Sequence, residues 1–300
     1  MNVSLSHSIH PRKLYVITAG PHTLHLGTRT HIMGILNMTP DSFSGDGCRS
    51  GPKEQEQDGM SKAVRLAQRF VQEGADIIDV GGESSRPGAR RISVQEEIRR
   101  VIPVIQALAR KIKIPISVDT YKPLVARHAL EAGATAVNNI MGTKMEKSFL
   151  RMIGRYDAAI VLMHMRGTPR TMQRNIRYKN VVSEIIDSLK KSIENCLEIG
   201  IKSDKIIVDP GIGFAKTAEH NLQIIHHLRQ FAVLRRPLLI GVSRKSFIGK
   251  VLKKDISQRL SGSLTAACAS ILNGAHIVRV HDVGPTKEIA AMTDAIRNGG

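Results

Sequence analysis

Eight short apolar segments along the chain each end in polar or charged residues. These residues are Asn37, Asp79, Asp119, Asn138, His164, Asp209, the triplet Ser243, Arg244 and Lys245, and finally Arg279 with His281. Carboxylates and amides hydrogen-bond polar ligands, whereas lysine and arginine attract anions. These groups can act together only in a fold that brings the ends of all eight segments to one place.

Stretches with the helical spacing of apolar residues separate most of the segments. Strands that alternate with helices predict an α/β fold with a parallel sheet, and eight such units predict a (β/α)8 TIM barrel. In that barrel the C-terminal ends of the strands form the active-site face. The predicted strands are 31–37, 76–80, 115–119, 136–140, 159–165, 205–209, 237–242 and 277–281.

The N-terminal region has a different pattern. Residues 13–28 alternate in polarity on both sides of a Gly-Pro turn, which predicts a β-hairpin that caps the bottom of the barrel. We expect residues 1–12 to form a flexible extension and residues 13–298 to form a single domain. Length alone also allows two domains of about 150 residues, but no linker-like segment divides the chain.

Two of the predicted helices carry specific expectations. Residues 94–110 contain Pro103, which predicts a kink or a restart of the helix. The helix predicted over residues 180–199 should end at Gly200 and bury a single stripe of apolar side chains. The stripe consists of Val182, Ile186, Leu189, Ile193 and Leu197.

The composition limits the function classes. A net charge of +18 favours an anionic partner, which could be nucleic acid, a membrane surface or a small substrate. The basic clusters are short and dispersed, with almost no aromatic residues between them, so we predict no nucleic-acid binding. No segment approaches the roughly 18 apolar residues of a membrane span. Three cysteines without metal-ligand spacing and no secretory signal predict a cytoplasmic protein.

Acids and amides from three strands predict how a ligand is held. Asp119, Asn138 and Asp209 can bond the N–H donors and carbonyl of a flat, nitrogen-rich ring, although each could instead be structural. Asp79 could contact the ligand or pair with a basic neighbour inside the barrel. His164 has the pattern of a buried histidine bonded to the backbone.

Cationic residues follow the last two strands, where barrels commonly bind phosphate. Lys245, Arg279 and His281 predict an anion site, and a salt-bridged surface patch is the alternative. Asn37 offers an oxygen for a weakly held Mg²⁺, or it caps a turn. We expect the acids and amides at one end of the mouth and the cations at the other. The residues together predict a Mg²⁺-assisted enzyme that acts on a phosphorylated heterocycle.

Ordered motifs across about residues 30–295 resemble the dihydropteroate synthases of the pterin-binding barrel family. The motifs lie at Met33–Ser44, Ile78–Gly88, Ser117–Thr120, Leu162–Met165, Asp209–Phe214, Ser243–Ser246 and Arg279–Val283. The resemblance implies a homodimer that is a sulfonamide target. It also implies condensation of a dihydropterin-methyl diphosphate with 4-aminobenzoate, which gives dihydropteroate and diphosphate in folate biosynthesis.

The resemblance also implies roles for individual residues. Asn37 would bind Mg²⁺, and Lys245, Arg279 and His281 would be catalytic by stabilising the leaving diphosphate. The pterin diphosphate would contact Ser85, Asp119, Asn138, Asp209, Lys245, Arg279 and His281. The 4-aminobenzoate would contact Phe43, Arg86, Pro87, Phe214 and Ser246.

Two other functions remain open from the sequence. A corrinoid-linked methyltetrahydrofolate methyltransferase of the same family would share the pterin-binding acids, but it has no need for cations at Lys245, Arg279 and His281. A basic protein that binds nucleic acid without catalysis would fit the net charge. The chain could also derive from a fusion with a pterin pyrophosphokinase.

Overall fold

A parallel barrel forms the centre of the computed structural model, which describes residues 12–39, 52–84 and 91–299. Within these residues the eight barrel strands are β3 (His31–Asn37), β4 (Ile77–Gly81), β5 (Ile116–Asp119), β6 (Ala136–Asn139), β7 (Ala159–Met163), β8 (Ile206–Asp209), β9 (Leu239–Ile240) and β10 (Ile277–Val280). The sheet order is β8-β7-β6-β5-β4-β3-β10-β9. A parallel bridge between Val208 and Leu238 joins its two ends. The predicted (β/α)8 barrel is confirmed.

Helices lie between the strands along the chain, as the sequence predicts. In the described residues they are α1 (Pro52–Gln72), α2 (Val94–Ala109), α3 (Pro123–Glu131), α4 (Lys147–Arg155), α5 (Val181–Glu198), α6 (Ala218–His226), α7 (Ser246–Leu252), α8 (Leu260–Leu272) and α9 (Val283–Asn298). None of the described helices is long and apolar enough to span a membrane.

The details of two helices differ from the sequence-based prediction. Pro103 lies inside α2 without a restart, because burial of Val101, Val104 and Leu108 outweighs the single backbone bond that proline cannot donate. In α5 the stripe is only partly correct, since Leu197 is 43% exposed. Cys196 is buried in its place because 3.6 residues per turn shift the inward face along the helix.

The predicted hairpin is present as the antiparallel pair β1 (Tyr15–Ala19) and β2 (His22–Leu26). Its apolar side chains Ile17, Leu24 and Leu26 share a buried cluster with residues at the N-terminal ends of the barrel strands, such as Met33 and Ile77. This contact removes from water the apolar surface that the open end of the barrel would expose.

Arg12 connects the segment before the hairpin to the last helix. The side chain is buried, donates to Thr30 Oγ1 at 2.8 Å and to the carbonyl of Ala275 at 2.6 Å, and forms an ion pair with Asp294. The predicted flexible extension otherwise covers residues 1–11, which lie outside the described residues.

Candidate active site

Side chains from four strands meet around Arg279 at the C-terminal end of the barrel. Its Nε donates to Asp79 Oδ2 at 2.6 Å, and its Nη2 donates to Asp119 Oδ2 at 2.7 Å. Asn138 Nδ2 donates to the same Asp79 oxygen at 3.0 Å. The parallel order of β10, β3, β4, β5 and β6 makes this possible, because it aligns residues that are up to 200 positions apart in the chain.

The partners of Arg279 change two expectations. Asp79 pairs with a basic neighbour, which was one of its two alternatives, and its side chain is 0% exposed. The expected separation of acids from cations is wrong for Arg279, which lies between two carboxylates. The physical reason is that its side chain points into the barrel, where burial of an unpaired carboxylate or guanidinium would cost several kcal/mol.

Burial shifts the pKa values of Asp119 and Asp209. Desolvation raises the pKa of Asp119 to about 7, although the positive charge of Arg279 opposes this shift. Desolvation also raises the pKa of Asp209 to about 6, against the hydrogen bond from the backbone of Gly211. Both carboxyl groups therefore favour a ligand that donates N–H hydrogen bonds, because such donors stabilise the ionised form.

Lys245 is a second cation close to these acids. Burial and the charge of Arg279 together lower the pKa of its ammonium to about 8, while the charges of Asp209 and Asp119 oppose the change. Its Nζ lies 4.2 Å from the centroid of the Phe214 ring, within the range of a cation–π contact. The predicted convergence of Asp119 and Asp209 with Lys245 is therefore observed.

The turn after β8 brings Phe214 under Lys245. Asp209 Oδ1 accepts a bond from the backbone nitrogen of Gly211 at 2.7 Å. Gly211 has φ +74, and a Cβ there would lie 2.0 Å from the carbonyl oxygen of His164, so only glycine fits. Asn221 Oδ1 accepts from the backbone of Gly213 at 2.7 Å and fixes the end of the turn.

An apolar wall lines the mouth beside this turn. Phe214 shares a cluster with four buried apolar side chains, Ile140, Met163, Met165 and Met172. Tyr121 and Met141 pack against the same cluster. Methionine and aromatic side chains adapt to flat rings, so the wall suits an aromatic ligand that lies beside the acids.

Asn37 ends β3 close to Asp119. A Cβ on Gly81 would lie 3.8 Å from Asn37 Oδ1 and 3.8 Å from Asp119 Oδ2, so the two oxygens flank this glycine. Among residues 12–39, 52–84 and 91–299, no group of three or more His, Cys, Asp or Glu side chains is placed to hold a metal ion. The donors present fit an Mg²⁺ that takes most of its ligands from water and phosphate.

His281 follows β10 and contacts Ser243. Its Nδ1 lies 3.1 Å from Ser243 Oγ, and its backbone nitrogen donates to the same oxygen at 3.3 Å. Burial, together with the charge of Arg279, lowers its pKa to about 3. A lowered pKa favours the neutral imidazole, which can hydrogen-bond an anion without adding a full positive charge to the predicted anion site.

A buried lysine was missed by sequence reasoning. Lys216 Nζ donates to the carbonyl of Phe214 at 2.9 Å and lies 3.2 Å from Nδ1 of His164. His164 is buried as expected, but its ring contacts this lysine. Burial lowers the pKa of Lys216 to about 7. The apolar residues before Lys216 in the turn could have indicated that this lysine is buried, but they do not indicate that it contacts His164.

The remaining predicted residues are placed as follows. Ser246 begins α7 and is exposed next to Lys245. Phe214 is buried, and Lys245 lies over its ring. Phe43, Ser85, Arg86 and Pro87 lie outside the described residues.

Comparison with known proteins supports a particular family. The model of the pterin binding enzyme family matches residues 33–281. Dihydropteroate synthase from Synechocystis sp. is 45% identical over 271 residues, which cover 90% of this chain and 91% of that protein. The Escherichia coli dihydropteroate synthase is 43% identical over 265 residues, which cover 88% of this chain and 91% of that protein.

Solved structures agree with the sequence relatives. A Yersinia pestis dihydropteroate synthase in a sulfonamide drug complex superposes with a TM-score of 0.85 at 39% identity, covering 94% of this chain and 99% of that one. A Xanthomonas albilineans dihydropteroate synthase with 4-aminobenzoic acid superposes with a TM-score of 0.85 at 36% identity, and the match covers 95% of this chain and 99% of that one.

The chain belongs to the pterin-binding enzyme family. Each of these relatives is a dihydropteroate synthase, so the group that the motifs resemble is confirmed.

Proposed function

We propose that the protein condenses (7,8-dihydropterin-6-yl)methyl diphosphate with 4-aminobenzoate to give 7,8-dihydropteroate and diphosphate in folate biosynthesis. The observation that carries the proposal is the buried group of Asp119, Asn138 and Arg279 beside Asp209 and Lys245. The family relatives are dihydropteroate synthases, which favours this transferase over the corrinoid-linked methyltransferase.

The acids and the amide recognise the pterin. Asp119 and Asp209 accept bonds from ring N–H groups, and each bond favours the ionised carboxylate. Asn138 and Lys245 provide donors for ring acceptors. A dihydropteroate synthase from Clostridium difficile was crystallised in the presence of pteroic acid, and it is 44% identical to this chain with a TM-score of 0.82.

The cations stabilise the leaving group. Cleavage of the C–O bond to diphosphate leaves positive charge on the methylene, which the pterin ring delocalises. The neutral amine of 4-aminobenzoate forms the new C–N bond and then loses a proton. Arg279, Lys245 and the neutral His281 donate hydrogen bonds to the departing diphosphate, and Ser85 extends this set. No protein nucleophile is needed.

Mg²⁺ is the cofactor in this proposal. Asn37 would hold the ion through its amide oxygen, and the ion would supply positive charge next to the diphosphate. For 4-aminobenzoate, Phe214 and Ser246 form the described part of the site, and Phe43, Arg86 and Pro87 complete it. A sulfonamide would occupy the same place, by analogy with the Yersinia pestis complex.

We also propose a cytoplasmic homodimer. Large apolar side chains are exposed on the last three helices, among them Val251 at 56%, Met292 at 63% and Ile296 at 57%. Apolar groups of this size on neighbouring helices favour burial against a second copy. Cys196 and Cys268 are free, in keeping with a reducing compartment.

Product formation tests the function. The purified protein is incubated with both substrates and Mg²⁺, and diphosphate and dihydropteroate are measured together. Lys245→Met should lower kcat/KM by about 100-fold or more, the size of effect found when a donor to a developing oxyanion is removed. Lys250→Met, at an exposed lysine on α7, the helix that directly follows Lys245, is the matched control. Absence of diphosphate release, or full activity of Lys245→Met, would overturn the proposal.

A further inference from the structure

Three arginines line a concave surface at the mouth of the barrel, close to the candidate active site. Arg91, Arg170 and Arg174, with Thr168 and Thr171, surround a cavity of about 240 Å³. The three arginines are called here the arginine rim. All three side chains are exposed, and in the described part of the chain no carboxylate forms an ion pair with them. Among the described residues, the three positive charges of the rim thus have no paired carboxylate.

The backbone under the rim is fixed by local hydrogen bonds. The backbone nitrogen of Thr171 donates to the carbonyl of Thr168 at 2.9 Å, and that of Arg174 donates to the carbonyl of Thr171 at 2.9 Å. Thr171 Oγ1 accepts from the nitrogen of Thr168 at 3.0 Å. A turn held in this way fixes the backbone from which Arg170 and Arg174 extend.

The same turn contacts the candidate active site directly. Met172 packs in the apolar wall with Phe214. Gln173 Nε2 donates to the carbonyl of Gly213 at 3.0 Å, and a Cβ on Gly213 would lie 3.1 Å from Cδ of Lys245. The guanidinium of Arg91 lies 5.8 Å from the ring centroid of Tyr121, which packs against the wall. The arginine rim therefore adjoins the apolar wall through Met172 and Tyr121.

Two of the inner cations differ from the rim in charge balance. Arg279 is paired with Asp79 and Asp119, and Lys122 with Glu83 and Glu97. Charges that are compensated at short distance exert little force on a distant ion. Both substrates of the proposed reaction are anions, and positive charge without a paired acid attracts them over the longest range. The rim is a source of such charge beside the mouth.

We propose that the arginine rim captures the oxyanion groups of the incoming substrates, the diphosphate or the carboxylate, and directs them into the barrel. This inference rests on the proposed function. Electrostatic attraction of this kind raises association rates and weakens as salt is added. The rim is not assigned a part in the bond-making step, so kcat should not depend on it.

The test compares two variants that lose the same charge. In the rim variant Arg91→Gln, Arg170→Gln and Arg174→Gln are combined. In the control variant Arg151→Gln, Lys190→Gln and Lys191→Gln remove three exposed charges from α4 and α5. For each protein kcat and kcat/KM are measured over a range of NaCl concentrations, first with the pterin diphosphate varied and then with 4-aminobenzoate varied. Thermal unfolding confirms that both variants are folded.

The expected result is a fall in kcat/KM of at least about fivefold in the rim variant at low ionic strength. The difference should vanish near 1 M salt, where the Debye length is about 3 Å, and kcat should be unchanged. The substrate whose kcat/KM falls identifies the captured group. A fall in neither substrate, an equal fall in the control variant, or a fall that persists at high salt would overturn the proposal. Failure of the proposed function would instead appear as no turnover in the unaltered protein.

Discussion

Replacement of Arg279 by methionine should destabilise the protein strongly through Asp79. The Asp79 side chain is fully buried, and Oδ2 takes its bonds from Arg279 and Asn138 at 2.6 and 3.0 Å. Within the described residues no group bonds Oδ1. Without the guanidinium, a carboxylate remains in the barrel with one neutral amide as its partner.

The expected loss is about 3–5 kcal/mol in the free energy of unfolding, the usual cost of removing one partner from a buried ion pair. Most of this cost should come from Asp79, because the side chain of Asp119 is 11% exposed and can be hydrated. Adding Asp79→Asn to Arg279→Met should recover most of the loss, since the neutral amide no longer requires a counter-charge.

Urea unfolding followed by circular dichroism measures these free energies. Arg244→Met serves as the control, because Arg244 pairs with Asp282 near the same strand ends but its side chain is 42% exposed. This substitution should cost no more than about 1 kcal/mol. Equal losses for Arg279→Met and Arg244→Met, or no recovery in the double variant, would refute the view that Asp79 depends on Arg279.

Three further outcomes are expected. Burial raises the pKa of Asp209 from 3.8 to about 6, so the folded state favours the protonated carboxyl group. This contribution to stability should decline as the pH rises from about 4 to about 6. Urea unfolding at both ends of that range should show a smaller decline for Asp209→Asn than for the unaltered protein. The charge of Lys216 favours the ionised form of Asp209, so Lys216→Met should move the acid limb of the pterin-substrate kcat/KM profile to higher pH, whereas Lys216→Arg should leave it in place. A change in rate without a shift along the pH axis would limit Lys216 to a structural role. Leu26→Ala should lower the free energy of unfolding by about 2–5 kcal/mol with kcat unchanged, because the hairpin fills the end of the barrel away from the site; a lower kcat with unchanged stability would contradict this separation.

The barrel and the convergence of its polar residues could be predicted because both follow from local patterns. A strand that is covered on two faces is a short, nearly continuous apolar run, and its end is visible as the first polar residue. The run at residues 237–242 shows the limit of this reasoning, since the structure keeps only Leu239–Ile240 as strand β9. Its neighbour β8 is held by a single bridge to Leu238, so the pairing there is too sparse to extend the strand.

The pairing of the site residues could not be predicted, because it depends on distances between side chains that are far apart in sequence. From their residue types and their spacing, Arg279 and His281 are expected to be two cations of a phosphate-binding site. In the structure Arg279 is paired with two acids, and burial lowers the pKa of His281. Lys216 follows a turn rich in apolar residues, and no local pattern indicates that it would be buried against His164.

A single physical cause connects the charges of the site. Burial disfavours ions of either sign, so it raises the pKa of Asp119 and Asp209 and lowers that of Lys216 and Lys245, and all four values move toward neutral pH. Groups with such pKa values change protonation readily when a ligand supplies a donor or an anion. A substrate that brings N–H donors to the acids and a diphosphate to the cations would therefore stabilise the ionised form of both sets.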